Sequence, residues 1–224
     1  HPFDQGDHKL RDENLAPFPR TKEQVQVHRS EYYAIITHMD NEIGRILTAL
    51  EKSGKADNTY IIFSADHGLA VGHHGLMGKQ NMYDHSIRIP FFVSGPGIEA
   101  GKQSDALVYL QSIFATTCEM AGLKIPETVD FPSLKGILDG KQEKVHDAIF
   151  GNYRDFQRMI RTDEHKMILY PHNGNQQLFD LKNDPQEMKN VIGDKKYDKI
   201  KKDLYSKLLF LQKEVGDTLT LSLK

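Results

Sequence analysis

The sequence predicts an α/β chain on three observations: a long amphipathic helical pattern from Tyr32 to Leu50, an unbroken β-forming run soon after it at residues 59–64, and a second half in which short β-type runs follow one another before a final amphipathic helix. Helix, strand, loop, strand, helix is the punctuation of an α/β layer. Adjacent short strands separated by turns suggest a small antiparallel sheet.

The 224 residues suffice for one large domain or two small ones with a packed core. Lys and Arg number 29 against 31 Asp and Glu, a net charge of −2, which argues against nucleic acid or another polyanion held by bulk charge and leaves room for a local cationic pocket. No apolar stretch approaches the ~20 residues that span a bilayer. Cys118 is the only cysteine, so no intrachain disulfide exists; within the helix-like run of residues 113–121 it is expected to be buried and structural. The chain begins His1-Pro2-Phe3, with neither an initiator Met nor the basic and apolar regions of a signal peptide, and reads as a cut start.

Taken in order, residues 1–21 are polar, carry Pro2, Pro17 and Pro19, and read as an extended approach segment. From Tyr32 the positions Ile35, Ile36, Met39, Ile43, Ile46, Leu47 and Leu50 recur at three- and four-residue steps, one face of a helix that Gly54 stops. The run Thr59-Tyr60-Ile61-Ile62-Phe63-Ser64 has the pattern of a strand covered on both faces, which implies a central parallel sheet. A second such strand is expected over residues 87–94, closed by Gly95-Pro96-Gly97, and a helix over 107–120. Composition changes between residues 125 and 146. Residues 1–125 therefore form one domain and 146–224 a smaller α+β subdomain, with strands around 148–150, 159–161, 167–170 and 177–181. In the last helix, capped by Asp194, the apolar stripe is Tyr197, Ile200, Leu204, Leu208, Leu211 and Val215.

Ligands of open α/β sheets gather beyond the carboxyl ends of the strands, where Asp66 and His67 emerge. An adjacent carboxylate and imidazole can approach one divalent cation if the backbone turns sharply, as Gly68 permits. Oxygen ligands favour calcium or magnesium, and the imidazole also suits zinc or manganese. The pair alone reads equally well as a turn aspartate followed by an ordinary hydrogen-bonded histidine. The loop that follows tips the balance, because Gly68, Gly72, Gly75 and Gly78 allow close backbone approach to a ligand and Lys79 offers a compact cation for an anionic group. His74 fits either a general acid or a pin for the loop, and His73 and His85 are weaker candidates.

The segment Asn58-Thr59-Tyr60-Ile61-Ile62-Phe63-Ser64-Ala65-Asp66-His67-Gly68, the loop and strand of residues 72–91 with Gly78-Lys79-Gln80 and Arg88-Ile89-Pro90, the turn Gly95-Pro96-Gly97-Ile98, and Gln177-Leu178-Phe179-Asp180-Leu181-Lys182-Asn183-Asp184-Pro185-Gln186-Glu187 together resemble, in this order, the sulfatase family. The resemblance implies part of an alkaline-phosphatase-like central sheet with flanking helices, followed by a small C-terminal subdomain of antiparallel strands and a helix. It implies Asp66 and His67 as two ligands of one active-site Ca2+, Lys79 on the sulfate group, and an exported setting, whether periplasmic, secreted or lysosomal. The family's nucleophile, a formylglycine made in a Cys/Ser-x-Pro-x-Arg motif, has no counterpart, since Cys118 is followed by Glu119-Met120-Ala121-Gly122; the early paired aspartates are lacking too. The chain is thus expected to be the C-terminal portion, inactive alone, whose partners are the N-terminal half of the same protein and a sulfated carbohydrate. Arg154, Arg158 and His172 are candidates for further anionic groups of such a substrate. Two other functions fit: a phosphoester or phosphonate monoester hydrolase of the same superfamily, and a non-catalytic carbohydrate-binding or assembly module.

Overall fold

The computed structural model describes residues 10–224. In chain order it contains α1 (Lys22–Lys52), β1 (Ile61–Ser64), α2 (Asp84–Ile87), β2 (Phe91–Ser94), α3 (Ser112–Met120), α4 (Lys135–Leu138), β3 (Ile149–Tyr153), β4 (Gln157–Arg161), β5 (His165–Tyr170), β6 (Asn175–Asp180) and α5 (Asp198–Glu214). Two compact units divide the described residues. The first holds residues 10–79 and 85–100, the second 80–84 and 101–224. Residues 101–125, grouped by composition with the first half, thus gather with the later sheet.

In the first unit α1 begins ten positions before the apolar pattern does. Thr21 and Gln24 form a reciprocal capping box, with Gln24 N donating to Thr21 Oγ1 at 3.3 Å and Thr21 N to Gln24 Oε1 at 3.0 Å. These bonds satisfy two of the orphan donors that would otherwise fray the first turn. Gly54, left-handed at φ +70°, ends the helix as expected. None of the helix's residues is buried; Ile35 and Ile46 are each 67% exposed and Met39 45%. Of the approach segment, residues 1–9 lie outside the described residues, and Arg11–Leu15 form a 3-10 turn rather than extended chain.

The central parallel sheet is replaced, among the described residues, by an antiparallel pair in which Ile61 faces Ser94 and Ser64 faces Phe91. An unbroken apolar run reports the covering of faces and carries no information on strand direction. Parallel return needs a crossover, usually helical, and the connection here holds only the four-residue α2. The second strand is also shorter than expected, beginning only at Phe91, after the helical turn of residues 84–87 and Pro90, which has no N–H for a ladder.

The second unit matches its expected form. Its four strands pair antiparallel in the order β3-β4-β5-β6, with Ile160 opposite Met167 and Met167 opposite Leu178. Phe150, Ile160, Met167, Leu169, Leu178, Val191, Leu204 and Leu208 form its core, and Tyr197, Ile200 and Leu211 of the α5 stripe pack against them. Burial contributes roughly 1.5–3 kcal/mol for each such side chain removed from water. Val215, at the end of the stripe, is 62% exposed instead. Asp194 caps the 3-10 turn Lys195–Tyr197 that leads into α5, accepting from Lys196 N at 3.1 Å. Cys118 is half-buried, not fully enclosed as expected.

Charge also enters this interior. Lys166 is fully buried and pairs with both Asp84 and Glu187, while Arg161 Nε lies 3.4 Å from Asp84 Oδ1. Two cations against two carboxylates leave no net buried charge, which is the condition under which such groups are tolerated in a core. Burial pushes the Asp84 carboxyl up, but Lys166 and Arg161 outweigh it and hold the group below its ordinary value. For Glu187 burial prevails, aided by Asp84 against Lys166, and its carboxyl is raised.

Candidate active site

The strand β1 ends at Ser64, and Asp66 and His67 follow in the loop beyond its carboxyl end. Gly68 is required here for a reason other than a sharp turn. Its φ lies outside the left-handed region; instead its N–H donates to Ser86 O at 2.8 Å, and a Cβ would collide with the backbone carbonyl of His85. Asp66 and His67 are thus fixed by the close passage of two backbone segments.

From Ala70 to Gly78 the chain makes a narrow hairpin, with Ala70 N donating to Gly78 O at 3.2 Å and Gly72 N to Leu76 O at 2.7 Å. Its bend uses left-handed backbone at Gly72 and Gly75, where glycine carries no penalty, but also at Val71 (φ 42°) and His74 (φ 53°). Each of those two costs on the order of 1–3 kcal/mol and persists only where surrounding structure holds it. Val71 and Met77 anchor the hairpin in a small core with Ala16, flanked by Tyr32 and Leu69. Further hold comes from Glu13, which accepts from Met77 N and Gly78 N, and from Arg20 and Arg29, which donate to the carbonyls of Gly75 and Val71. Sequence spacing missed these three, because nothing local distinguishes them from other charged residues of a polar segment.

The hairpin returns Lys79 to His67. Lys79 Nζ lies in hydrogen-bond contact with His67 Nε2, and Asp66 Oδ2 is 3.4 Å from the same nitrogen. His67 Nδ1 is 3.0 Å from Gly68 O, an atom that only accepts, so Nδ1 carries the proton and the Nε2 lone pair accepts from the Lys79 ammonium. That tautomer is the one a metal ligand needs. The Asp66 side chain is 82% exposed and that of His67 32%, so both are open to an incoming ion or anion. A carboxylate oxygen and an imidazole nitrogen at one point fit two corners of a cation's coordination sphere, a place that the Lys79 ammonium takes here. Calcium takes about six to eight oxygen ligands, and among the described residues no group of three or more His, Cys, Asp or Glu is placed to hold an ion.

His74 lies in a cluster of imidazole rings, its centroid 4.5 Å from that of His73 and 5.7 Å from that of His85. Arg88 is exposed. In the second unit Arg158 departs from its expected place beside a loop; it is 4% exposed and paired with Asp217, and its strand position between partners distant in sequence explains why spacing did not reveal this. Arg154 is exposed, and His172 Nε2 lies 3.0 Å from Asp155 Oδ2 with its ring 5.0 Å from Phe156.

The acidic residues of the 177–187 segment hold the fold. Asp180 accepts from Asn183 Nδ2 at 2.9 Å and Tyr197 Oη at 2.8 Å, which lowers its carboxyl to about 2. Asp184 accepts from the backbone of Met188 and Lys189, and Glu187 joins Lys166 while accepting from Asp84 N.

Comparison with known proteins gives a consistent result. The family model described as Sulfatase matches residues 3–123, and that described as N-sulphoglucosamine sulphohydrolase, C-terminal, matches 72–214. An arylsulfatase of Clostridium perfringens is 35% identical over 193 residues, covering 83% of this chain and 40% of its own length. A structure solved in complex with its substrate D-glucosamine-2-N,6-O-disulfate superposes with a TM-score of 0.82 at 30% identity, covering 89% of this chain and 44% of that one. The phosphonate monoester hydrolase of Agrobacterium radiobacter gives 0.77 at 30% identity over 87% of this chain and 43% of that one. The chain therefore spans about two-fifths of the length of the relatives it matches.

Proposed function

The chain belongs to the sulfatase family, and on that premise we propose that the whole protein is a sulfuric ester hydrolase acting on sulfated carbohydrate, to which residues 1–125 contribute part of the catalytic α/β domain and 146–224 the C-terminal subdomain. The observation that carries this reading is the convergence of Asp66, His67 and Lys79 at one exposed point. Asp66 and His67 would hold the calcium ion, which when bound would polarise a sulfate oxygen. Lys79 contacts the sulfate and offsets charge on the sulfuryl group or the departing alkoxide. His74 supplies the proton to the leaving oxygen. A formylglycine from the part of the protein that this chain does not match is the nucleophile. The setting is an exported one, by likeness to the family; among the described residues no helix is long and apolar enough to cross a membrane.

The sugar is proposed from the relative bound to a glucosamine disulfate. The likeness to a phosphonate monoester hydrolase favours one second reading, cleavage of a phosphonate monoester at the same site. The whole protein, assayed on a sulfated hexosamine and on an aryl phosphonate monoester, separates them by kcat/KM. Lys79→Ala is expected to lower kcat/KM on the preferred substrate by roughly 10²–10³. Parental turnover in that variant refutes the role of Lys79, and a parent inactive across a panel of sulfate esters and phosphonates refutes the enzyme and leaves the carbohydrate-binding module.

A further inference from the structure

The hairpin that delivers Lys79 is gripped from one side by charged groups that the proposed chemistry leaves unused. The Glu13 carboxylate accepts from Met77 N at 3.2 Å and from Gly78 N at 3.0 Å, the two amides directly before Lys79. Arg20, whose side chain is 4% exposed, pairs with that carboxylate, donates to Gly75 O at 2.8 Å, and with its other terminal nitrogen reaches Glu13 O at 2.6 Å and Ala16 O at 3.1 Å. Arg29 donates to Val71 O at 2.9 Å. Both arms and the tip of the hairpin are therefore fixed from the same short stretch of chain.

The contact is close as well as polar. Gly72 abuts Val25, and Gly78 abuts Asp12, with no space at either for a Cβ. Hydrogen bonds with an ionised partner are roughly twice as strong as neutral ones, and here they bear on a loop that includes the left-handed Val71 and His74. A lysine on a flexible four-carbon stem gains its accuracy from the backbone that carries it.

We infer that Glu13, Arg20 and Arg29 are positioning residues, a clamp that sets the backbone before Lys79 and so fixes where its ammonium meets His67 and a substrate anion. The clamp's bearing on turnover rests on the reading of Lys79 as the sulfate contact. Its structural part is independent of that reading.

The test uses the whole protein carrying Glu13→Gln, which keeps the size of the side chain and removes its charge, with Glu13→Ala and Arg20→Lys beside it. Three quantities are measured: hydrogen exchange at the Met77 and Gly78 amides, the rate at which an amine-reactive reagent labels Lys79, and kcat and KM on a sulfate ester. Exchange at both amides is expected to rise about tenfold or more while amides of β5 keep parental rates, with Lys79 labelling changed several-fold. Turnover is expected to fall about tenfold in kcat with KM within about threefold. Arg20→Lys does not restore the parent, because one ammonium cannot reach the four oxygens that the guanidinium holds.

Parental exchange at Met77 and Gly78 in both Glu13 variants overturns the clamp. Faster exchange with parental labelling and kcat overturns the positioning role and leaves a contact that only holds the fold. If Glu13→Ala does not fold, Glu13→Gln decides by the same readings. A parent without turnover on any sulfate ester or phosphonate defeats the proposed function, while exchange and labelling still decide the clamp.

Discussion

The two units hold themselves together by different means. In the second, Ile160, Met167, Ile168, Leu178, Phe179, Leu204 and Leu208 are each at most 1% exposed, and even the lysine within it is neutralised by two carboxylates. In the first, Ala16, Val71 and Met77 make a small buried cluster, and among the described residues none of the longest helix is fully buried. Hydrogen bonds and ion pairs to backbone take over there, and they fix the loop bearing Asp66, His67 and Lys79. A well-filled core supplies stability without chemistry, whereas the hydrogen-bonded unit presents polar groups to solvent in a defined arrangement.

The largest break in this contrast is expected from Lys166→Ala. It leaves Asp84 and Glu187 buried beside each other with only Arg161 in reach, and should destabilise the second unit by about 3–5 kcal/mol in urea unfolding. A loss under 1 kcal/mol, roughly the value of an exposed pair, would show that the network is wetter than its burial indicates. Next comes a paired comparison of truncations. Leu208→Ala should cost about 2–5 kcal/mol, and Ile46→Ala, on the bare face of α1, within about 0.5 kcal/mol. Similar values for the two would mean that the helix face is covered in solution.

The smallest effect is a pH dependence. Asn183, then Tyr197, lowers the Asp180 carboxyl from an ordinary 3.8 to about 2. A carboxyl depressed by folding contributes stability above its unfolded value and loses it as pH falls through the folded one. The stability difference between parent and Asp180→Asn should therefore be full above about pH 5 and fade on approach to pH 2. A difference that stays constant over that range would contradict the bond to Asn183.

Much of this was legible from the residues. Short β-type runs separated by turns pointed to β3 to β6, and the stripe from Tyr197 to Leu211 to α5, because both depend on local patterns of residue type. Asp66, His67 and Lys79 were readable as a group because glycines link them over a short span. Partners distant in sequence were not. Lys166 lies 82 positions from Asp84, and Arg158 lies 59 from Asp217, so nothing in the spacing marks either as buried. The same applies to the pairing of β1 with β2, since strand direction is decided by the connection and not by the run.

The contact between Lys79 and His67 joins positions only 12 apart. Closing so short a loop restricts the chain little, since the entropy lost grows with the logarithm of loop length at about 0.6 kcal/mol per doubling. The closure itself is thus local in sequence, on the time scale of hairpin formation, roughly 1–10 μs. Its accuracy is another matter, because the clamp reaches the hairpin from 42 to 65 positions away, and a graft of residues 66–79 into an unrelated strand end would carry the geometry only together with that clamp.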